Sequence, residues 1–521
     1  MTDRKPNFLF IMTDQHRADW LGCAGHPVVR TPNIDLLAAR GTMFTDFHVA
    51  SPVCMPNRAS FMTGRYPSVH GLRYNGCLLP RSANTFVDVL RAGGYRTASI
   101  GKSHLQPFTA HPPIREEVET GLIAEAWKVD DQRYDLEQPE KYEATGPFDF
   151  PSPYYGFDHV DMVTGHGDKA GGHYQQWFRA RHADWQAMTN PAAELSHNYS
   201  CPQAFRTPIP EDSYPTAYIR DSAAAYLREN AGSDAPLFTY VSFPDPHHPF
   251  NPPGRYWDMY APTDFTPGPR YEEHRNPPPP LVGAKRDFDA GIPPLTPQTS
   301  FYASDQHVRE AMALTAGMIT MIDDSVGALI EALKETGQFE NTIVVFNADH
   351  GDYLGSFNMM LKGAWAHESI SRVPMIWADP MNDGQVQASD VLASTVDLAP
   401  TILARAGLTG FHGMQGEDLL PCLSGAQASR DHLLVEYNDG VARQGFEVPA
   451  RVRTLLSRDW RLSLYKDQDW GELYDRQGDP HQTNNLWNEP GCSATRAELT
   501  ERLAHLLVGQ MDESPRSERL A

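Results

Sequence analysis

Four short apolar runs, each ending abruptly in residues with reactive side chains, constrain this chain more than any other feature. Asn7 to Thr13 (NFLFIMT) runs into Asp14, and Thr97 to Gly101 (TASIG) into Lys102 and His104. Pro236 to Phe243 (PLFTYVSF) leads to Asp245, His247 and His248, and Thr342 to Phe346 (TIVVF) to Asp349 and His350. Continuous apolar runs of this length read as buried parallel strands. Helical patterns over Phe86 to Ala92, Ala217 to Asn230, Gln306 to Thr336 and Val391 to Ala406 separate them. The alternation predicts an α/β fold, a mostly parallel central sheet flanked by helices. Ligands bind beyond the carboxyl ends of such strands, so four strands delivering Asp, Lys and His to one edge predict a single composite site.

Two stretches interrupt this grammar, near 106–213 and 251–304, both rich in Pro, Tyr, His and Asp. They are too long for simple connections and are expected to fold over the site as insertions. From about residue 429 the pattern changes to short strands, including Arg451 to Leu456 and Trp460 to Tyr465, and a final amphipathic helix near Ala494 to Val508. The expected organisation is a catalytic α/β domain over 1–428 and a smaller C-terminal subdomain over 429–521 containing an antiparallel sheet.

The 521 residues carry 44 Lys+Arg against 66 Asp+Glu, a formal charge of −22. That balance argues against a nucleic-acid binder. No apolar run was expected to reach bilayer-spanning length, and the apolar stretch at the N-terminus is too short for a signal peptide. The six cysteines are scattered with no C-x-x-C pair, which favours a reducing compartment. A cytoplasmic protein with no membrane partner is the expectation.

The segment Cys54-Met55-Pro56-Asn57-Arg58-Ala59-Ser60-Phe61-Met62-Thr63-Gly64 fits C-x-P-x-R-x-x-x-x-T-G. Average residue usage would produce its five fixed positions in such a chain with a probability on the order of 10⁻⁴. This segment resembles the signature of the sulfatase family. The resemblance extends to Asp14-Gln15 as a first metal pair, Gly101-Lys102-Ser103-His104, Pro246-His247-His248-Pro249, and Asp349-His350-Gly351 as a second metal pair. It continues through Lys362 with Arg372-Val373-Pro374, and through Leu473-Tyr474-Asp475 with Asp479-Pro480. It implies an alkaline-phosphatase-like fold and the oxidation of Cys54 to formylglycine by a maturation enzyme that reads the Pro and Arg. It also implies one divalent metal ion on Asp14, Gln15, residue 54, Asp349 and His350. Asp-Gln and Asp-His stand where many sulfatases have Asp-Asp and Asp-Asn, a variant similar to the branch of phosphonate monoester hydrolases and choline sulfatases. An imidazole ligand admits Mn²⁺ or Zn²⁺, whereas an all-oxygen shell suits Ca²⁺ or Mg²⁺; Ca²⁺ and Mn²⁺ are the leading expectation.

A sulfate ester is an anion, so its nucleophile needs cations fixed beforehand, and the metal with Arg58, Lys102 and Lys362 would supply them. The resemblance implies a covalent sulfo-enzyme intermediate, with His104 beside the formylglycine hydroxyls and His247 with Lys362 protonating the leaving oxygen. Asn75 is an even choice between donating to the anion and turning the chain before Gly76. The expected activity is hydrolysis of a small-molecule sulfate monoester, aryl or small alkyl. The alternatives are a phosphonate monoester or phosphate diester hydrolase with the same nucleophile, and an inactive metal and oxyanion binder if Cys54 stays a thiol. Relatives of this kind often assemble, so a homo-oligomer is expected.

Overall fold

Asn7–Thr13 is a wholly buried strand, and its two neighbours explain why a single site is possible. Leu237–Ser242 and Thr342–Ala348 pair with it on either side, both parallel, and Arg96–Gly101 pairs parallel beyond Leu237–Ser242. The register sets their carboxyl ends level: Met12 lies opposite Ser242 and Asn347, and Gly101 opposite Ser242. Asp14, Lys102 and Asp349 therefore leave from one edge. The structure is a computed structural model describing residues 5–109, 111, 133–144, 146–382, 386–426, 430–514 and 516–519.

Among the described residues the sheet has nine strands. His159–Thr164 continues it in parallel, and the short Gly171–Gly172 closes that side. Met375–Ala378 runs antiparallel on the other side, followed by Thr42–Phe44 and Ala388–Ser389. Because side chains alternate along a strand, Phe8, Phe10 and Met12 enter one core with Phe61, Phe86 and Phe238. Leu9 and Ile11 enter the opposite core with Ile219, Leu227, Ile322 and Val326. Both faces are covered, as a parallel sheet requires.

The helices sit near their expected places, with two corrections. Phe86–Ala92 is fixed by a capping box between Thr85 and Asp88, Pro215–Glu229 opens on a proline, and Asp305–Glu335 starts from the Ser304 cap. The Val391 to Ala406 stretch is not one helix. Ala393–Ser394 is extended and pairs with Phe47–His48, the Asp397 carboxylate accepts from the Ser394 amide at 2.7 Å, and the α-helix is confined to Leu398–Arg405. The expectation about membrane-length runs is corrected as well. Asp305–Glu335 is long and apolar enough to cross a bilayer by length and composition, but 83 % of its 18-residue apolar window is buried inside the fold. It is a core helix, and its buried Asp323 accepts hydrogen bonds from the Asn33 and Ile34 amides.

The 106–213 stretch is more than a cover, since it contributes the strand His159–Thr164 to the central sheet. The C-terminal region forms a four-stranded antiparallel meander, His432–Asn438, Arg451–Ser457, Trp460–Tyr465 and Gly471–Asp475. Ser493–Gly509 packs Leu499 and Leu503 into its core beside Leu455, Leu462 and Leu473. The expected boundary between 428 and 429 lies outside the described residues.

Gly101 ends its strand at φ 108°, and a Cβ there would collide with the Ser242 carbonyl. Gly101→Ala is therefore expected to destabilise the protein by about 2–4 kcal/mol, read as a lowered melting temperature. An unchanged melting curve would refute this account of the sheet edge.

Candidate active site

Cys54 is the first residue of the helix Cys54–Thr63, all ten residues of which are buried. Pro56 is tolerated because amides in the first helical turn have no intrahelical partner. Gly64 ends the helix in the left-handed conformation. The motif thus delimits a short buried helix, and its i, i+4 spacing puts Cys54 and Arg58 on one face.

That face meets the edge of the sheet. Cys54 Sγ lies 3.0 Å from His350 Nε2 and 3.6 Å from Asp14 Oδ1. Arg58 donates Nε to Asp349 Oδ2 at 2.7 Å. Its Nη1 donates to the Lys102 carbonyl at 2.9 Å, Ser242 Oγ at 2.8 Å and Tyr240 OH at 3.1 Å. Arg58 Nη2 has no hydrogen-bond partner and stands 3.6 Å from Asp14 Oδ2.

Asp14, Cys54, Asp349 and His350 each offer a ligand atom, all within 4.8 Å of one another and all buried. His350 donates Nδ1–H to the Gly351 carbonyl at 2.8 Å, which aims Nε2 at the cluster. Burial works against charge on His350, yet the Asp349 carboxylate and Cys54 push its pKa up to about 10. A proton there stands in for the positive charge that two buried carboxylates demand. Two carboxylates, an imidazole and an exchangeable fourth position fit a divalent ion.

On the other side of the nucleophile, two lysines each pair with an imidazole. Lys102 Nζ contacts Asp14 Oδ2 and lies 2.7 Å from His166 Nε2, while Lys362 Nζ lies 2.9 Å from His247 Nε2. The His166 and His247 rings stack at 3.6 Å with 8° between their planes. His247 Nδ1 donates to the His248 carbonyl at 2.5 Å, so its Nε2 accepts from Lys362. Burial and Lys102 push His166 down to about 3, and burial with His166 holds His247 well below the usual range. Both rings are neutral, and the positive charge sits on the lysines. Burial works against charge on Asp14, yet the Lys102 ammonium holds it well below the usual carboxylate range.

Residues 6–408 match the family described as Sulfatase, and residues 357–508 match N-sulphoglucosamine sulphohydrolase, C-terminal. The chain belongs to the sulfatase family. It is 26% identical to an arylsulfatase of Clostridium perfringens over 98% of this chain and 95% of the relative. It is also 26% identical to a choline-sulfatase of Rhizobium meliloti, over 96% of this chain and 86% of the relative. Its fold is similar to the crystal structure of a phosphonate monoester hydrolase of Agrobacterium radiobacter, with a TM-score of 0.78 and 23% identity over 99% and 98% of the two chains.

Within this sulfatase site the remaining candidates take distinct places. Gln15, with φ 62°, accepts from Lys362 Nζ at 2.5 Å and donates to Asp352 Oδ2 at 2.5 Å, while its backbone amide donates to Asp349 Oδ1 at 3.1 Å. His248 turns to Gln298 Oε1 at 3.0 Å, and Asp245 turns away to Thr216 and Tyr214. Asn75 is exposed, and its side-chain oxygen accepts from the Met55 amide at 3.1 Å, steadying the start of the nucleophile helix. His104 is buried with Nδ1 unpartnered and its ring 4.0 Å from that of Phe108; burial and Lys102 hold it well below the usual range. His166 and Asp352 escaped the sequence reading. His166 directly follows the Met162-Val163-Thr164-Gly165 end of a strand, so the rule of reactive residues beyond strand ends applies to it too.

Asp14→Asn keeps the shape of this centre and removes one of its two ligand charges. Divalent-ion affinity of chelator-stripped protein, measured by titration calorimetry with Mn²⁺ and with Ca²⁺, is expected to fall by about 10- to 100-fold or more. Undiminished binding would remove Asp14 from the metal site.

Proposed function

We propose that this sulfatase-family hydrolase cleaves sulfate monoesters of aryl or small alkyl alcohols, using formylglycine made from Cys54 and one divalent ion held by Asp14, Asp349 and His350 beside Gln15. When present, the ion and the formylglycine hydroxyl supply an oxygen nucleophile of lowered pKa and draw charge from the ester. Arg58, oriented by Asp349 and Ser242, fixes positive charge behind residue 54. Lys102 and Lys362 hold the terminal oxygens of the anion. The Lys362–His247 pair passes a proton to the departing alcohol, and His104, with Nδ1 free, is the base assigned to the hydroxyls at residue 54.

The observation that carries this reading is the unbroken row Lys102, His166, His247, Lys362. A sulfate monoester presents three terminal oxygens to such a row. A phosphonate monoester replaces one of them with carbon, which would strand a charged donor without a partner. The second reading, a phosphonate monoester or phosphate diester hydrolase, is favoured by the Asp349-His350 pair in place of Asp-Asn. Cys54, Pro56 and Arg58 are all buried in one helix, so a maturation enzyme has to read them before the chain folds. The six cysteines are all unpaired, which suits the reducing compartment expected for the protein.

Turnover of p-nitrophenyl sulfate is expected to exceed that of p-nitrophenyl phenylphosphonate in kcat/KM, and the opposite ranking would establish the second reading. The mass of the peptide spanning Cys54, from the native source, is expected to show the aldehyde; a wholly intact thiol would leave a metal and oxyanion binder. Lys362→Ala should lose about 10²- to 10⁴-fold in kcat with alkyl sulfates and less with p-nitrophenyl sulfate, whose leaving group needs little protonation. Equal losses on both would take Lys362 out of proton delivery.

A further inference from the structure

We infer that Glu137, in the 106–213 stretch, is a positioning residue that sets the orientation of His104 through the backbone. The inference rests on the proposed role of His104 as a base. Glu137 is buried, and its carboxylate gathers three consecutive amides. Oε2 accepts from His104 N at 2.9 Å, and Oε1 accepts from Leu105 N at 3.0 Å and Gln106 N at 3.1 Å. A fourth donor, Tyr154 OH, reaches Oε1 at 2.7 Å. No cation pairs with this carboxylate among the described residues.

Three successive amides converge on one anion only when the chain turns sharply, as in an anion-binding nest. His104 makes that turn at φ 59°, in the left-handed region that a non-glycine residue avoids. The conformation needs an anchor, and Glu137 supplies it. Gln106 fastens the same turn a second time, donating to the Arg133 carbonyl at 3.0 Å and accepting from the Leu136 amide at 3.1 Å. Among the described residues the imidazole has no hydrogen-bond anchor at Nδ1, and its ring rests 4.0 Å from that of Phe108. The direction of the ring is therefore set by the backbone and by one aromatic contact, and the backbone is set by Glu137.

Glu137→Gln tests this with little change of shape. Its single oxygen can serve His104 or the Leu105 and Gln106 pair, while its amide nitrogen faces the amide left over. Kcat for p-nitrophenyl sulfate is expected to fall about 10- to 100-fold, with KM nearly constant and the melting temperature within a few degrees. Tyr154→Phe, which removes a donor to the same carboxylate but leaves the three amides in place, should keep near-wild-type kcat. In a His104→Ala background, Glu137→Gln should cause no further loss. Glu137→Asp, which keeps the charge and shortens the reach, carries the same expectation should the glutamine variant not fold. Full activity in Glu137→Gln, or the same fold-loss with and without His104, would overturn the inference. A fully active His104→Ala would instead sink the role given to His104, and this inference with it.

Discussion

Two carboxylates, Asp14 and Asp349, are wholly buried beside Cys54, and the surrounding arrangement follows from the need to balance them. Burying an anion is costly unless it is paired and hydrogen-bonded. Arg58 grips Asp349 and approaches Asp14, and Lys102 closes on Asp14 from the other side. With Lys362 nearby, three permanent cations face two carboxylates; the His166 and His247 rings are held neutral, and His350 carries a proton. A centre of this balance attracts an anion before any metal is counted and attracts it strongly once a divalent ion is bound. The −22 of the whole chain does not contradict this, because net charge governs solubility and approach, whereas the chemistry is set within a few ångströms. Capture of an anion by such a centre is local, with little steering from a distance.

The parallel register made most of this legible. Each apolar run announced a strand, and the first reactive residue beyond each run announced a place on one edge. The prediction of a composite site therefore needed no knowledge of side-chain contacts. His166 obeys the same rule but escaped, because its strand, His159–Thr164, lies toward the side of the sheet. There the exposed His159 and the half-buried Asp161 break the apolar pattern. Glu137 could not be read at all, since its role comes from three backbone amides more than 30 residues away. Asn75 was an even choice in sequence, and the contact with the Met55 amide shows it bracing the nucleophile helix. The Val391 to Ala406 stretch misled for a different reason. Its apolar content suits both a strand and a helix, and the Asp397 carboxylate, accepting from the Ser394 amide, marks where one gives way to the other.

The C-terminal meander braces the segment that carries Lys362. The lysine sits in a segment without regular structure, and the chain just beyond it is pinned from the C-terminal side. Gln444 accepts from the Ala364 amide at 3.3 Å, and Tyr465 OH accepts from the Ala366 amide at 3.4 Å. The Ala366 carbonyl is held by Arg461, itself paired with Glu472 at 2.7 Å and wholly buried. Arg476 ties the same unit to Asp46 and Glu368. A long lysine side chain loses much rotamer freedom when its ammonium is fixed, and that loss is smaller when the backbone beneath it does not move. The meander therefore limits motion under Lys362, as the 133–137 segment does under His104. Both groups proposed to handle protons stand on irregular backbone that is stiffened by parts of the chain lying outside the central sheet. The parallel strands deliver the charges, and the peripheral elements decide how accurately those charges are aimed.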